Sequence, residues 1–296
     1  MTQQKSLLFV VGPTASGKTA LAIQLAKRYN TEIISADSRQ IYKGLQIGTA
    51  QPTYDERIQV RHHLIDFIPV DRLYTVSDYT SDANKIIKQL FLEHDVVIVC
   101  GGTGLYINAL VYGIDDIPSI SFDIRSNIRE EYKTYGLEYI CNKLISLDQD
   151  CKHYIDMHNP HRVLRALEVI TQTGKPLRHF FSKKTIRYDY VCRFIYVTLP
   201  QEKLYKRIDE RVEVMIQQGL IEEAKSFNNF KSCNAIKTIG YKEIFKYLDG
   251  EISLVQAIEE IKTNTHHYAK RQITWFNKLY KNNNANFFSS VTDILP

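Results

Sequence analysis

No apolar run in this 296-residue chain approaches the roughly 20 residues that span a bilayer, which argues against a membrane-spanning helix. Its five cysteines, Cys100, Cys141, Cys151, Cys192 and Cys233, are odd in number and widely spaced. They form no CxxC pair, so neither a zinc site nor a disulfide framework is supported. No internal repeat or low-complexity tract interrupts the sequence. The opening MTQQKSLLFVVGPTASGKT has an apolar run, but it leads straight into a loop of functional character and reads as no cleaved signal. A cytoplasmic protein with no membrane partner is the expectation. Acids are also missing locally. Residues 261–281 contain none, against Lys262, Lys270, Arg271, Lys278 and Lys281. Between residues 162 and 187 Glu168 is the only acid, against Arg162, Arg165, Lys175, Arg178, Lys183, Lys184 and Arg187. The net charge is only +5, so two such blocks point toward a polyanion, nucleic acid above all, rather than to two solvated helix faces.

With 44% hydrophobic and 24% charged residues, the chain has the composition of a soluble globular protein and the length of two domains. Short apolar runs at 6–11, 32–35, 96–100 and 193–198 read as buried parallel strands. Helical stretches between them, to about Tyr29 and over roughly 76–93, make the pattern an α/β one. The expected fold is a P-loop-containing parallel sheet flanked by helices, with a helical insertion domain and a helical C-terminal region. Asp123 is placed to cap a helix that Gly136 breaks. Asn159-Pro160 opens another that closes at Gly174, with Val163, Leu164, Leu167 and Ile170 on one stripe. The insertion is set at 117–188, and the catalytic core at 1–116 and 189–296.

GPTASGKT (Gly12, Pro13, Thr14, Ala15, Ser16, Gly17, Lys18, Thr19) follows a strand and opens a helix, the setting of a phosphate-binding loop. Its backbone N–H groups and the helix N-terminus suit a diphosphate or triphosphate. Lys18 is placed to reach the outer phosphate, and Thr19 to help hold Mg²⁺. A phosphate-loop ATPase normally adds an Asp at the end of a second apolar strand. Here that strand, DVVIVC, runs instead into Cys100 and GGTG, where Thr103 supplies a hydroxyl. The second strand is expected to end beside the first, so that Asp37 in ADSRQ faces the phosphate cavity as a Mg²⁺ ligand or general base. Capping the following turn, or pairing with Arg39, is the ordinary alternative for that Asp. On these residues a phosphate-loop kinase of a small molecule or nucleotide stays open.

GPTASGKT, SADSRQIYKGLQIGTA, GGTGLYINAL, NPHRVLRALEVITQTGKPL, TIGYKE and YAKRQITWF occur in this order over nearly the whole chain. Together they resemble the tRNA dimethylallyltransferases, the bacterial tRNA prenyltransferase family. The resemblance implies transfer of a dimethylallyl group from dimethylallyl diphosphate to N6 of the adenine on the 3′ side of the anticodon, in tRNAs that read codons starting with U. It implies that Asp37 is the base, that Thr103 lies near the adenine, that Arg211 in RIDERVEVM steadies the diphosphate and that Mg²⁺ assists. The implied tRNA contacts are Asp37, Ser38, Arg39, Gln40, Thr103, Arg125, His161, Arg162, Val163, Leu164, Arg165, Lys237, Thr238, Ile239, Gly240, Tyr241, Lys242, Lys270, Arg271 and Gln272, gripping the anticodon arm. His161, His266 and His267 depart from the family pattern, which has arginine there. A monomer is expected. An adenylate isopentenyltransferase acting on free nucleotide and a non-catalytic RNA-binding switch are the competing readings.

Overall fold

A computed structural model describes residues 4–181 and 190–282. The basic residues Lys183, Lys184 and Arg187 of the first block lie outside them. The chain divides into two compact units, Met1–Tyr112 with Ile186–Pro296, and Gly113–Thr185.

The larger unit is built on strands β1 (Ser6–Val11), β2 (Ile33–Ser35), β3 (His62–His63), β4 (Val96–Gly101) and β5 (Val191–Tyr196). All pairings are parallel, in the order β3-β2-β4-β1-β5. SLLFVV is buried along its whole length because β1 has a strand on each side and helices on both faces. Phe9 and Phe194 sit opposite each other in register and stack at 4.6 Å. The two-residue β3 escaped the sequence reading because polar His62 and His63 carry no apolar run. A second difference matters for function. The end of β2 is not beside the end of β1, because β4 lies between them.

Helices α1 (Lys18–Tyr29), α2 (Tyr54–Gln59), α3 (Val76–Glu93) and α4 (Gly104–Tyr112) link these strands. Capping boxes start two of them: Thr53 with Glu56 on α2, and Thr75 with Asp78 on α3. After β5 come α7 (Gln201–Gln217), α8 (Leu220–Ser226), α9 (Tyr241–Leu248) and the long α10 (Leu254–Asn282). No described helix is long and apolar enough to cross a membrane.

The smaller unit contains α5 (Phe122–Leu147) and α6 (Pro160–Thr173). Ser121, not Asp123, caps α5, its hydroxyl accepting from Ile124 N at 3.4 Å; Asp123 falls in the first turn. A carboxylate there still faces the positive end of the helix dipole. Gly136, at φ 79°, breaks α5 as expected, and helix resumes beyond it. Asn159 caps α6 with Pro160 in its first turn, and Gly174 closes it in a left-handed conformation. Val163, Leu167 and Ile170 are buried against Ile128, Ile140 and Leu144.

One contact fixes how β4 delivers its loop. A Cβ on Gly101 would lie 2.3 Å from the carbonyl oxygen of Ala36, a backbone atom that cannot yield. Gly101→Ala is therefore expected to destabilise the protein by about 1–3 kcal/mol, read from the midpoint of urea unfolding.

Candidate active site

The C-terminal end of β1 delivers the chain into the phosphate loop. Gly12 (φ 152°) and Gly17 (φ 98°) take conformations that side chains avoid, and a Cβ on Gly12 would lie 2.2 Å from the Val197 carbonyl oxygen. Lys18 Nζ donates to the Pro13 carbonyl at 2.6 Å. Burial lowers its pKa to about 8, opposed by the neighbouring Cys100 and Asp37 and reinforced by Arg211. Ser16 Oγ is buried and has no hydrogen-bond partner among the described residues, an arrangement that favours an acceptor from a ligand. On α7, Arg211 donates to Thr14 Oγ1 at 3.3 Å. One turn earlier, the Arg207 guanidinium comes within 3.8 Å of where a Cβ on Gly17 would stand. Burial and then Arg207 lower the Arg211 pKa. Among the described residues neither arginine has an ion pair with a carboxylate. Two like charges one turn apart repel, so this loop is poised for an anion.

Asp37 follows β2. Its Oδ1 accepts from Arg39 N at 2.8 Å and Gln40 N at 3.4 Å, so the turn-capping alternative is realised and also fixes the carboxylate. Thr103 N donates to the Ala36 carbonyl at 3.1 Å, and Thr103 Oγ1 accepts from Ser38 N at 3.0 Å. These bonds join the glycine-rich turn after β4 to the Asp37 segment, although β4 rather than β1 is the neighbour of β2.

The loop, Asp37 and the 237–242 segment line one cavity of about 1060 Å³. Its wall also includes Lys237, Thr238, Ile239, Gly240, Lys242 and Arg271. Gln46, Ile47 and Gly48 also line it, and Glu223 holds them: its carboxylate accepts from their three backbone N–H groups at 2.8–2.9 Å and from Tyr241 Oη at 2.6 Å.

Comparison with known proteins now adds to this geometry. The pattern of the IPP transferase family matches residues 40–279. The chain belongs to that family. It is 44% identical over 272 residues to the tRNA dimethylallyltransferase of Christiangramia forsetii, covering 92% of this chain and 90% of that one. With the Flavobacterium johnsoniae tRNA dimethylallyltransferase the identity is 39%, over 98% and 94%. Among solved structures it resembles the full-length tRNA isopentenylpyrophosphate transferase of Bacillus halodurans (TM-score 0.67, 37% identity, 97% and 90% covered). A eukaryotic dimethylallyltransferase acting on tRNA is similar at TM-score 0.78 and 28% identity, over 92% and 69%.

Within this IPP transferase the sequence-assigned residues divide. Gly17, Lys18, Thr19, Asp37, Ser38, Arg39, Gln40 and Arg211 line the cavity, and Lys270 is exposed. Three residues assigned to RNA contact have buried side chains, although Gln272 also borders the cavity. Val163 is packed in the core of the smaller unit, and Tyr241 is fully buried with its hydroxyl on Glu223. Gln272 is 5% exposed, its amide engaged inside the protein. Arg125, His161, Arg162, Leu164 and Arg165 belong to the smaller unit, where His161 and Arg162 are exposed. Arg125 and Arg165 there flank the carboxylate of Glu168 at 3.8 and 3.5 Å. His266 stacks on Tyr205 at 4.1 Å and stands 2.8 Å from Asp209, tying α10 to α7. Sequence reading missed Arg207, whose signal was its four-residue spacing from Arg211.

If a phosphate ester binds through charged Lys18, affinity is constant below pH about 8. Above that it falls by up to about tenfold per pH unit, until the raised pKa of the complex is reached. Titration calorimetry with an alkyl diphosphate between pH 7 and 10 checks this, and Lys18→Met is expected to flatten the decline.

Proposed function

We propose that the protein transfers the dimethylallyl group of dimethylallyl diphosphate to N6 of the adenine 3′-adjacent to the anticodon in tRNAs reading codons that start with U. The carrying observation is one cavity that joins a cation-lined phosphate loop to Asp37. Membership of the family supports the same reading, as do relatives and structural neighbours named for this action on tRNA.

The diphosphate docks on the loop with its charge facing Lys18, Arg207 and Arg211. The C1–O bond of the prenyl donor breaks and its electron pair leaves with the diphosphate, where those cations offset the growing charge. The adenine amine attacks C1, forming the N6–C1 bond, and passes a proton to the Asp37 carboxylate. A base stacked in an anticodon loop is out of reach, so it is flipped into the cavity, close to Asp37 and the Thr103 turn. Arg125, His161, Arg162 and Arg165 of the helical unit supply charge and hydrogen bonds for the anticodon arm.

A Mg²⁺ fits this site only as a partner of the diphosphate. Among the described residues no group of three His, Cys, Asp or Glu could hold a metal. Thr19, Asp37 and the unpartnered Ser16 hydroxyl offer a few oxygens, which suits an ion held mainly by substrate phosphates. When bound, the ion would further neutralise the leaving diphosphate.

The test is incubation with labelled dimethylallyl diphosphate, Mg²⁺ and unmodified tRNA. Label in AMP but not in tRNA would favour an adenylate isopentenyltransferase, and ADP formation from ATP with a small substrate would favour a kinase. Asp37→Ala is expected to lower transfer by at least about 10²-fold while tRNA still binds; near-normal turnover would remove the base role. Arg165→Ala should weaken tRNA binding and reduce the slope of log affinity against log salt by about one, measured by filter binding.

A further inference from the structure

The ladder between β1 and β4 ends at the pair Val11 and Gly101. Beyond it the two strands part into the phosphate loop and the glycine-rich turn. One buried side chain bridges them. Gln272 on α10 accepts from Thr14 N at 2.8 Å through Oε1 and donates to the Gly102 carbonyl at 3.0 Å through Nε2. It acts as one more rung across the strand ends. Gly102 leaves room for it, since a Cβ there would lie 2.1 Å from Gln272 Nε2.

The consequences spread from both ends of this amide. Thr14, held at its backbone N–H, receives Arg211 on its hydroxyl. Gly102, held at its carbonyl, precedes Thr103, whose hydroxyl is bound by Ser38 N next to Asp37. We infer that Gln272 is a positioning residue that fixes the separation of the diphosphate loop from the Asp37–Thr103 segment, and so sets the distance and angle at which amine meets prenyl carbon. This rests on the transfer reaction proposed above. The partners are 258 and 170 residues away in sequence, and among the described residues no other side-chain hydrogen bond spans the same two loops. Reaction rate is sensitive to such offsets: a misplacement of about 1 Å can cost about 10²-fold.

Two substitutions separate positioning from bulk stability. Gln272→Met keeps length and volume but loses both bonds. Its kcat is expected to fall about 10- to 100-fold, with KM for both substrates within about threefold of wild type. Gln272→Glu is the sharper probe. As a neutral acid it donates to the Gly102 carbonyl and accepts from Thr14 N, as the amide does; as a carboxylate it faces the Gly102 oxygen with no proton. The ratio of its kcat to that of wild type is therefore expected to fall as pH rises, which a packing role would not produce. Wild-type kcat in Gln272→Met, a loss carried wholly by KM, or a pH-independent ratio for Gln272→Glu each overturns the inference. A wild-type enzyme that transfers no prenyl group to tRNA would instead overturn the functional reading.

Discussion

Concentration of positive charge around one glycine-rich loop is the constraint on which the rest of the larger unit depends. Lys18 lies half-buried there, and Arg207 and Arg211 approach the same loop without a carboxylate to pair with among the described residues. Left alone, such a cluster is unfavourable, since burial penalises Lys18 and Arg211 and the charges repel one another. It persists because the fold over-determines it. Ala15 packs with Leu204 and Ile208 of α7 and Ala269 of α10, so the loop is clamped between two helices that have their own cores. The glycines take backbone conformations that free N–H groups for an anion. Binding a diphosphate would relieve the electrostatic cost and restore the Lys18 charge that burial weakens.

Sheet order then decides what meets that anion. Because β4 lies between β1 and β2, the Asp37 segment is hydrogen-bonded to the glycine-rich turn, while its carboxylate still faces the same cavity as Lys18. Asp37 lines the cavity, but through the neighbour β4 and not through the expected adjacency of β2 to β1. Local signals were legible: the phosphate loop, the Asn159-Pro160 cap, the Gly174 stop and the span of α3 are each encoded within a few residues. Long-range partners were not. Nothing near Gln272 in sequence announces that its amide ends on Thr14 and Gly102, and nothing near Glu223 announces a loop some 175 residues earlier.

Assigning motifs as blocks also hid their two-sidedness. TIGYKE lines the cavity with Thr238, Ile239, Gly240 and Lys242, while Tyr241 and Glu243 turn inward, 0% and 1% exposed. Both residues open α9 and are held inside by hydrogen bonds, Tyr241 Oη donating to Glu223 and the Glu243 carboxylate accepting from Gly240 N and Asn264 Nδ2. Val163 between Arg162 and Leu164 repeats the pattern on α6. Glu168 shows the reverse. The lone acid of a basic block looked incidental, yet it is buried beside Arg125 and Arg165. A buried carboxylate that holds two guanidiniums limits their rotamers while leaving most of their donors for a phosphate backbone.

The end of β4 carries the same logic into the chemistry. Cys100 stands where a phosphate-loop ATPase would have a carboxylate, and burial pushes its thiol up to about 11, so it is neutral. A carboxylate there would compensate Lys18 and recruit a metal to the loop before any substrate arrived. The neutral thiol leaves the loop's positive charge for the diphosphate. Of the two carboxylates lining the cavity, Glu56 is engaged in capping α2. Asp37 is held only through Oδ1, by two backbone N–H groups, so its other oxygen carries no hydrogen bond among the described residues. A cavity with cationic binding at one end and an uncommitted Asp37 oxygen suits a reaction that expels an anion and removes one proton.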